Sequence, residues 1–422
     1  MEKTKFLSIP ELDLVNLTSY RSCSVGDFLM SQKTGEKKLA MSRVLYIQYT
    51  NPAIYPPLEH SSRILAEDEW EILFLGTGAQ GTADALCFPP HPNITVRQMP
   101  FCPAGWRQKL HYVQFGLWVI IWSLCWRSQW VYASDFLACP IAMLLSFLPG
   151  VRVIYHEHDS PATAVDSLFL RLCMLARKCL AHRADMCILP NQERAECFVS
   201  DMGNSNKVFC VWNCPAQEEV SPPRPPYNDD NLWILYHGSI VPARIPLTVL
   251  SALATLPKIF KLRVIGYETI GHSGYVQQLQ EMAFQLGIGE RVELITAVPR
   301  NELLGWCKTC DIGLAFMPGN SNDINLKHMM GASNKAFDYL ACGLALLVSD
   351  LPDWKQMYVE PGYGLACHPD APASIAAALR WYLDHPAEMR EMGDRGRQRI
   401  LTEWNYETQF QPVKHYMSKA FF

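Results

Sequence analysis

The stretch Gly331–Asp350, GASNKAFDYLACGLALLVSD, joins a small-residue loop, a short helix and a buried strand. Ser333 is a favoured N-cap residue, apolar side chains recur at helical spacing in Asn334–Cys342, and Gly343 lies where a helix stops. Leu344–Val348 is an unbroken apolar run, typical of a strand that is buried on both faces. The segment therefore predicts one repeat of a parallel α/β sheet.

Two charged residues of this predicted helix, Lys335 and Asp338, stand three positions apart on one face, away from the apolar side. A cation in the first turn is unfavourable, because the helix N-terminus carries positive partial charge, unless an anion is bound there. An acid one turn later can accept hydrogen bonds from vicinal hydroxyls. The pair suggests a sugar nucleotide, with the diphosphate over Lys335 and the ribose against Asp338. A solvated helix face with two unrelated charges is the alternative.

The segment SNKAFDYLACGLALLVSDLPDW resembles the donor site of retaining GT-B glycosyltransferases related to glycogen synthases and bacterial α-mannosyltransferases, which are family 4-like. The resemblance implies an α/β chain of two facing Rossmann-like domains with a cleft between them and a C-terminal helix crossing back. Two positions depart from the family pattern. The family's usual Glu is Asp338 here, and Met330 stands where many members have a Glu that contacts the donor sugar.

The resemblance also implies the activity. A sugar would move from a nucleotide-diphosphate sugar to a glycan or lipid-linked acceptor, with retention of anomeric configuration and with no metal or other cofactor. Polysaccharide biosynthesis in the cytoplasm, with possible peripheral membrane contact, is the expected setting. Two other functions stay open: a GT-B sugar-nucleotide epimerase, and a non-catalytic sugar-nucleotide-binding or scaffold paralogue, an idea that Met330 supports.

A second segment, Tyr236–Arg244 (YHGSIVPAR), resembles the family's Gly-Arg/Ser-Leu-x-x-x-Lys loop. A predicted strand at Trp233–Tyr236 leads into this loop, and another at Lys261–Ile265 leads into a loop at Gly266. Glycine lets backbone approach a phosphate, and an arginine can bind phosphate with two parallel hydrogen bonds. The alternative is a turn with a solvated arginine. The complete set of residues expected at the donor is Gly238, Ser239, Arg244, Gly266, Val298, Ser333, Asn334, Lys335 and Asp338, with Gly266 and Val298 against the nucleoside.

In the first half of the chain, polar residues follow two buried strands. Trp130–Ala133 leads into Asp135, and Val151–Tyr155 leads into His156 and His158. Ligands of doubly wound sheets bind at these strand ends. The two histidines lack an evident third ligand, so no metal site is expected. By resemblance, His158 is the catalytic candidate that contacts the donor sugar through its backbone carbonyl, and Asp135 is a weaker candidate for handling the acceptor. Ordinary loop residues are the alternative.

Composition narrows the class of protein. The chain has 422 residues and a net charge of −4, whereas proteins that bind nucleic acids usually carry an excess of positive charge. The net charge therefore does not indicate nucleic-acid binding. Its 15 cysteines are scattered and odd in number, which favours reduced thiols over a disulfide framework. The oligomeric state is not predictable from this sequence.

The expected organisation follows the strand pattern. We predict a flexible extension without a signal peptide at residues 1–40 and an acceptor-side Rossmann-like domain at 41–217. A Pro-rich linker at 218–231, a nucleotide-sugar domain at 232–395 and a crossover helix at 396–422 follow. Leu110–Trp126 is strongly apolar but too short for a confident transmembrane helix. A core helix is the default expectation, and an exposed face that touches a membrane is the alternative.

Overall fold

The computed structural model describes residues 42–161, 167–203, 207–227, 230–319 and 323–419. The predicted extension at residues 1–40 lies outside the described residues. From Ser42 onward the chain forms one compact unit, which contains two parallel β-sheets.

The first sheet has seven strands in the order β3-β2-β1-β4-β5-β6-β7. Every strand pair is parallel, which requires a crossover connection between consecutive strands. The strands are β1 (Arg43–Gln48), β2 (Glu71–Thr77), β3 (Ile94–Met99), β4 (Trp130–Ser134), β5 (Arg152–His156), β6 (Met186–Leu189) and β7 (Val208–Cys210).

The second sheet has six strands in the order β10-β9-β8-β11-β12-β13, again all parallel. Its strands are β8 (Leu232–Ile240), β9 (Phe260–Glu268), β10 (Val292–Thr296), β11 (Ile312–Ala315), β12 (Ala345–Ser349) and β13 (Gly364–Cys367). The apolar run after Gly343 is β12, which is buried along its whole length as predicted.

Helices connect the strands of both sheets. In the first half they are α1 (Pro56–Glu67), α2 (Trp106–Trp126), α3 (Cys139–Leu145), α4 (Leu168–Arg183) and α5 (Gln192–Met202). In the second half they are α6 (Thr248–Ala254), α7 (Tyr275–Gln285), α8 (Arg300–Lys308), α9 (Ile324–Lys327), α10 (Asn334–Ala341), α11 (Pro352–Trp354), α12 (Pro372–Asp384), α13 (Pro386–Thr402) and α14 (Tyr406–Lys419).

The last helix returns to the first sheet. Tyr406, Phe410, Val413 and Met417 of α14 are fully buried, in the same apolar cluster as the side chains of α1 and of strands β1, β2 and β4. The boundary predicted at 395/396 falls inside α13, and the crossing segment is α14. The architecture is therefore GT-B: two Rossmann-like domains, the second of which ends in a helix packed on the first.

Two strands are longer than the sequence pattern predicts. We expected strand β8 to end at Tyr236 and β9 at Ile265, with loops beyond. Both continue, and Gly238 pairs with Gly266 in the ladder. A Cβ on Gly266 would collide with the Gly238 carbonyl oxygen, so this pairing needs glycine. The expected loop residues Gly238, Ser239 and Gly266 therefore lie in strands.

Helix α2 is the second correction. It begins at Trp106, four residues before the predicted apolar run. Only one side of it is core: Phe115 and Val119 are fully buried, whereas Leu117 is 57% exposed. The default expectation of a core helix is therefore wrong for half of its surface. Among the described residues, no helix has the length and apolar character needed to cross a membrane.

Candidate functional site

The N-terminus of α10 forms one wall of the candidate site. Ser333 occupies the N-cap position, but its side chain makes no capping hydrogen bond, and its buried hydroxyl has no hydrogen-bond partner among the described residues. Asn334, which is half-buried, opens the helix. Lys335 follows in the first turn and is only 7% exposed. A lysine is therefore buried at the helix end that disfavours it.

Strand β8 supplies the opposite wall. Gly238 has φ of +107°, and a Cβ there would lie 3.0 Å from the Lys335 ammonium, so the missing side chain makes room for the cation. The ammonium also lies 5.7 Å from the centre of the Tyr236 ring. Arg244 is half-buried and donates from Nη1 to Ser239 Oγ at 2.9 Å, while its buried Nε has no acceptor among the residues that the structure describes.

The two cations act on one another. Burial lowers the pKa of Lys335 well below its usual range, and the charge of Arg244 lowers it further. Among the described residues, Lys335 forms no ion pair, because the carboxylate of Asp338 is bound elsewhere. A bound anion would offset the burial of the Lys335 charge and its repulsion by Arg244. It would neutralise the two cations and accept hydrogen bonds from the free N–H groups of α10.

The Asp338 carboxylate is 1% exposed and pairs with Arg300, with Oδ1 2.9 Å and Oδ2 3.4 Å from the guanidinium. Arg300 in turn binds Glu219 at 2.5 Å, and His60 Nε2 lies 3.4 Å from the other side of Glu219. Burial opposes ionisation of Glu219, but Arg300 and His60 outweigh it and hold its pKa to about 2. This buried chain of charges connects α1 of the first domain to the donor helix.

Two of the residues expected at the nucleoside lie on this side of the cleft. Gly266 pairs with Gly238, next to the candidate phosphate site. Val298 lies in the connection between β10 and α8, partly buried against the cluster that contains Phe337. The structure thus brings the β8, β9 and α10 residues together, with Val298 on an adjoining loop.

The two catalytic candidates of the first domain are also neighbours. Asp135 has φ of +62°, which is unusual for a residue other than glycine, and its Oδ1 accepts from the His158 backbone N–H at 3.0 Å. The His158 ring lies 3.1 Å from Ser134 Oγ through Nε2, whereas its buried Nδ1 has no partner in the described ranges of the chain. The His158 carbonyl, expected at the donor sugar, accepts from Arg194 Nη1 at 2.8 Å.

Burial changes the protonation of this pair. It raises the pKa of Asp135 to about 6 and lowers the pKa of His158 to about 4. Close to neutral pH, Asp135 can therefore both accept and release a proton, while His158 is neutral. The charge of Asp135, together with burial, raises the pKa of Tyr55 well above its usual range, and the Tyr55 ring lies 4.9 Å from that of His158.

The two domains meet beside these residues. Arg194, which is 1% exposed, donates to the carbonyl oxygens of His158, Asn325 and His328 at 2.8–3.0 Å. Asn325 also exchanges two hydrogen bonds with the backbone of Ser160, at 2.8 and 2.9 Å. The loop before α10 is therefore held against the strand ends of the first domain, which places Asp135 and His158 on the opposite side of the cleft from Lys335.

Sequence reasoning did not find Tyr55, Arg194, Arg300 or Glu219. The Pro residues around Tyr55 mark a turn after β1, which is a strand end where ligands bind. Arg194 and Arg300 carry no local signal, because the side-chain hydrogen bonds that they donate reach partners 36 to 135 positions away in the chain. Within the described residues, no three His, Cys, Asp or Glu side chains are placed to hold a metal ion. The expectation of metal-independent transfer stays a prediction.

Residues 247–414 match the family model described as glycosyl transferase-like, which supports a glycosyltransferase as the class of protein. The match includes α10, with Lys335 and Asp338, but not Gly238, Ser239 or Arg244. A search of the curated proteins found no match.

Solved structures of similar architecture cover most of the chain. Sucrose-phosphate synthase from Thermosynechococcus elongatus has a TM-score of 0.66 at 14% identity, over 90% of this chain and 99% of that one. HepE from Anabaena, in complex with UDP and glucose, has a TM-score of 0.66 at 13% identity, over 90% and 100%. WaaG, a glycosyltransferase involved in lipopolysaccharide biosynthesis, has a TM-score of 0.58 at 12% identity, over 88% and 99%. At such identities these likenesses show the GT-B fold.

Proposed function

We propose that this protein is a glycosyltransferase whose cleft binds a nucleotide-diphosphate sugar, with the diphosphate between Lys335, Arg244 and the N-terminus of α10. The observation that carries the proposal is the buried ammonium of Lys335, which lies near a second cation and has no ion-pair partner within the part of the chain that the structure describes. Desolvating two cations together is costly unless an anion joins them. A diphosphate has the charge and the oxygen acceptors that this arrangement requires.

In the proposed reaction, the bond between the anomeric carbon and the diphosphate oxygen breaks, and its electron pair leaves with the diphosphate. Lys335, Arg244 and the α10 N–H groups stabilise the charge that develops there. An acceptor hydroxyl forms the new bond and gives up its proton, either to the leaving phosphate or to Asp135, whose pKa of about 6 suits that role. We further propose retention of configuration, which the family resemblance implies.

The ribose is proposed to contact Asp338. Its Oδ2 is 3.4 Å both from Arg300 Nη1 and from His237 Nε2, so this oxygen is held more loosely than Oδ1. A carboxylate has about four acceptor positions, so it can keep Arg300 and still accept from a hydroxyl. UDP is the first nucleotide to test, because the structural neighbour HepE was solved with UDP and with UDP-glucose.

Calorimetric titration of nucleotide diphosphates into the parent and into Lys335→Ala and Arg244→Ala tests the site. Each charge-assisted contact is worth roughly 1.5–3 kcal/mol, so each variant should bind about ten- to a hundredfold more weakly. Lys258→Ala, an exposed lysine of the same domain, is the matched control and should bind like the parent. If both cleft variants bind like the parent, the donor site is elsewhere.

Incubation with a panel of sugar nucleotides separates the three candidate functions. Slow release of free nucleotide supports a transferase, and loss of release in Lys335→Ala links it to this cleft. Interconversion of two sugar nucleotides would identify an epimerase instead. Binding without turnover, for every donor and with added acceptors, would identify a scaffold. The anomeric configuration of a transferred sugar, measured by NMR, decides whether transfer is retaining.

A further inference from the structure

The outer face of α2 is apolar over the length of the helix. Six of its large side chains are 51–68% exposed, and they follow one another at intervals of three and four residues: Trp106, Leu110, Val113, Leu117, Ile121 and Leu124. The row is roughly 27 Å long at 1.5 Å per residue. At 100° per residue, its direction is nearly opposite to that of the buried Phe115, Val119 and Trp122. The row therefore points straight out of the domain.

The neighbouring helices extend this surface. Leu144 and Phe147 at the end of α3 are 59% and 60% exposed, and α4 presents Leu168, Leu172 and Leu175 at 74%, 55% and 58%. The three helices are side by side: α3 packs on both α2 and α4, and Tyr112 of α2 meets Phe169 of α4 with ring centres 4.9 Å apart. We call the exposed apolar residues of α2, α3 and α4 the apolar face. Soluble monomers rarely expose so large a patch without a partner.

The helices that carry the apolar face contain cations but no acids. No Asp or Glu occurs in α2, α3 or α4, although the chain average of 41 acids in 422 residues would put about four there. Exposed cations stand on the same helices: Arg107, Lys109, Lys178 and Arg183. Two copies of the chain meeting through this face would bring like charges together. The surface of an anionic lipid bilayer is complementary to both groups of residues: its acyl chains match the apolar side chains, and its headgroups match the cations.

We propose that the apolar face docks this protein on the surface of an anionic lipid bilayer, with α2 lying along the membrane plane. The buried side of α2 fixes that orientation: the Phe115 ring lies 5.2 Å from the ring of Tyr49, which follows β1. The guanidinium of Arg97 on β3 lies 4.6 Å from the Trp122 ring. The aliphatic and aromatic side chains enter the boundary between headgroups and acyl chains, and the lysines and arginines meet the anionic headgroups. Docking is independent of the proposed function, because it involves none of the donor-site residues.

Docking also selects an acceptor class, and this step rests on the proposed transferase function. A cavity of about 440 Å³ lies between the start of α2 and the start of α4. Trp106 of the apolar face lines it, and so do Tyr49 and Leu137, which follow strands β1 and β4 at the edge where Asp135 stands. The cavity thus extends from Trp106 of the apolar face to the loops that follow β1 and β4, close in sequence to Asp135. The acceptor is accordingly a lipid-borne hydroxyl compound of the same bilayer.

Vesicle flotation with the full chain tests docking. The parent should float with vesicles of phosphatidylcholine and phosphatidylserine, and much less with phosphatidylcholine alone. The double variant Leu117→Glu/Ile121→Glu places two carboxylates on exposed positions and should lower the partition coefficient at least about tenfold. Arg107→Gln and Lys109→Gln should each lower it roughly fivefold. Phe284→Glu, which is 84% exposed on α7 of the other domain, is the matched control and should float like the parent.

Three outcomes would overturn the proposal. The parent could remain unbound with both kinds of vesicle, or Phe284→Glu could lose as much binding as the double variant. Light scattering could show a parent dimer that Leu117→Glu/Ile121→Glu converts to monomer without any vesicle binding, which would make the apolar face a contact between copies. Circular dichroism and the thermal midpoint, which do not depend on the donor site, check that the double variant is folded. Nucleotide titration of the parent and the double variant then separates a failure of docking from a failure of the proposed donor site.

Discussion

Asp338 and Arg300 form a buried ion pair at 2.9 Å, one helical turn beyond Lys335. The pair has a consequence for the donor site: the acid closest in sequence to Lys335 is engaged with another cation. Arg300 also binds Glu219, so it keeps a partner if Asp338 changes. The ion pair thus gives Asp338 two possible contributions, a contact with the ribose and support for the helix that carries Lys335.

Asp338→Asn separates those contributions. The amide removes one carboxylate oxygen from hydroxyl recognition and leaves α10 in place, because Arg300 is retained by Glu219. We expect ribonucleotide diphosphates to lose about tenfold in affinity and 2′,3′-dideoxy analogues to lose less. Titration of both ligand types into the variant measures the difference. Equal losses would assign Asp338 to holding Arg300 alone.

Binding of the diphosphate should take up a proton. The pKa of Lys335 is well below its usual range in the free protein, through burial and through Arg244, and a bound anion raises it again. Between the free and bound pKa values, affinity therefore falls as pH rises. Calorimetry in two buffers of different ionisation enthalpy counts the protons. Lys335→Arg, whose charge does not titrate, should bind without uptake; uptake that persists in this variant would point to another group.

Gly238→Ala should damage the donor site more than the fold. The new Cβ would lie 3.0 Å from the Lys335 ammonium and would stand on a backbone with φ of +107°. We expect about tenfold weaker nucleotide binding and a loss of roughly 1–3 kcal/mol in the free energy of unfolding. Gly271→Ala is the control, because a Cβ added at Gly271 would have no described atom within 4 Å. This variant should change neither the nucleotide affinity nor the free energy of unfolding. Unchanged affinity in Gly238→Ala would separate Gly238 from the phosphates.

Asp135→Asn should make the protein more stable and less active. Because the pKa of Asp135 is raised to about 6 in the folded protein, its ionised form is disfavoured there, and stability increases as pH falls through that value. The neutral amide should therefore stabilise the protein by roughly 1–3 kcal/mol at pH 8 and by about half of that at pH 5, because the carboxyl of the unfolded chain keeps its ordinary pKa of 3.8. Transfer should decrease while nucleotide affinity stays unchanged. Thermal unfolding at the two pH values checks the first part, and full activity would exclude Asp135 from the reaction.

His60 should make the protein sensitive to acid. Burial lowers its pKa to about 4 in the fold, whereas the unfolded chain has the ordinary value of 6.5. The unfolded state therefore binds the proton first, and up to roughly 3 kcal/mol is lost as pH falls from 6.5 to 4. In His60→Gln, the midpoint of thermal unfolding should fall less between pH 7 and pH 5. The exposed His182→Gln is the control; a parent-like decrease in His60→Gln would move the effect to His158 or another group.

Local patterns account for the part of the structure that sequence could predict. The strand β12 and the helix α10 are set by apolar runs and spacing that lie within a single segment, and the fold class follows from their repetition. Strand β8 was predicted too short, because glycine is rare in strands and only pairing with Gly266 of β9 makes Gly238 favourable. The hydrogen bonds of Arg194 and the ion pair of Glu219 depend on which loops lie next to each other in the folded chain. Local sequence patterns do not predict which loops those are.

The hydrogen bonds between the first domain and the loop before α10 have a practical consequence for engineering. Asn191, Arg194 and Asn213 donate to backbone carbonyls of that loop, at residues 325, 328, 330 and 332. A contact made to main-chain oxygen is kept whatever side chain the residue carries. Met330 can therefore be exchanged, for Glu or for a library of residues, while the hydrogen bond to its carbonyl is kept, which makes it the position at which to test the sugar contact that the family resemblance implies.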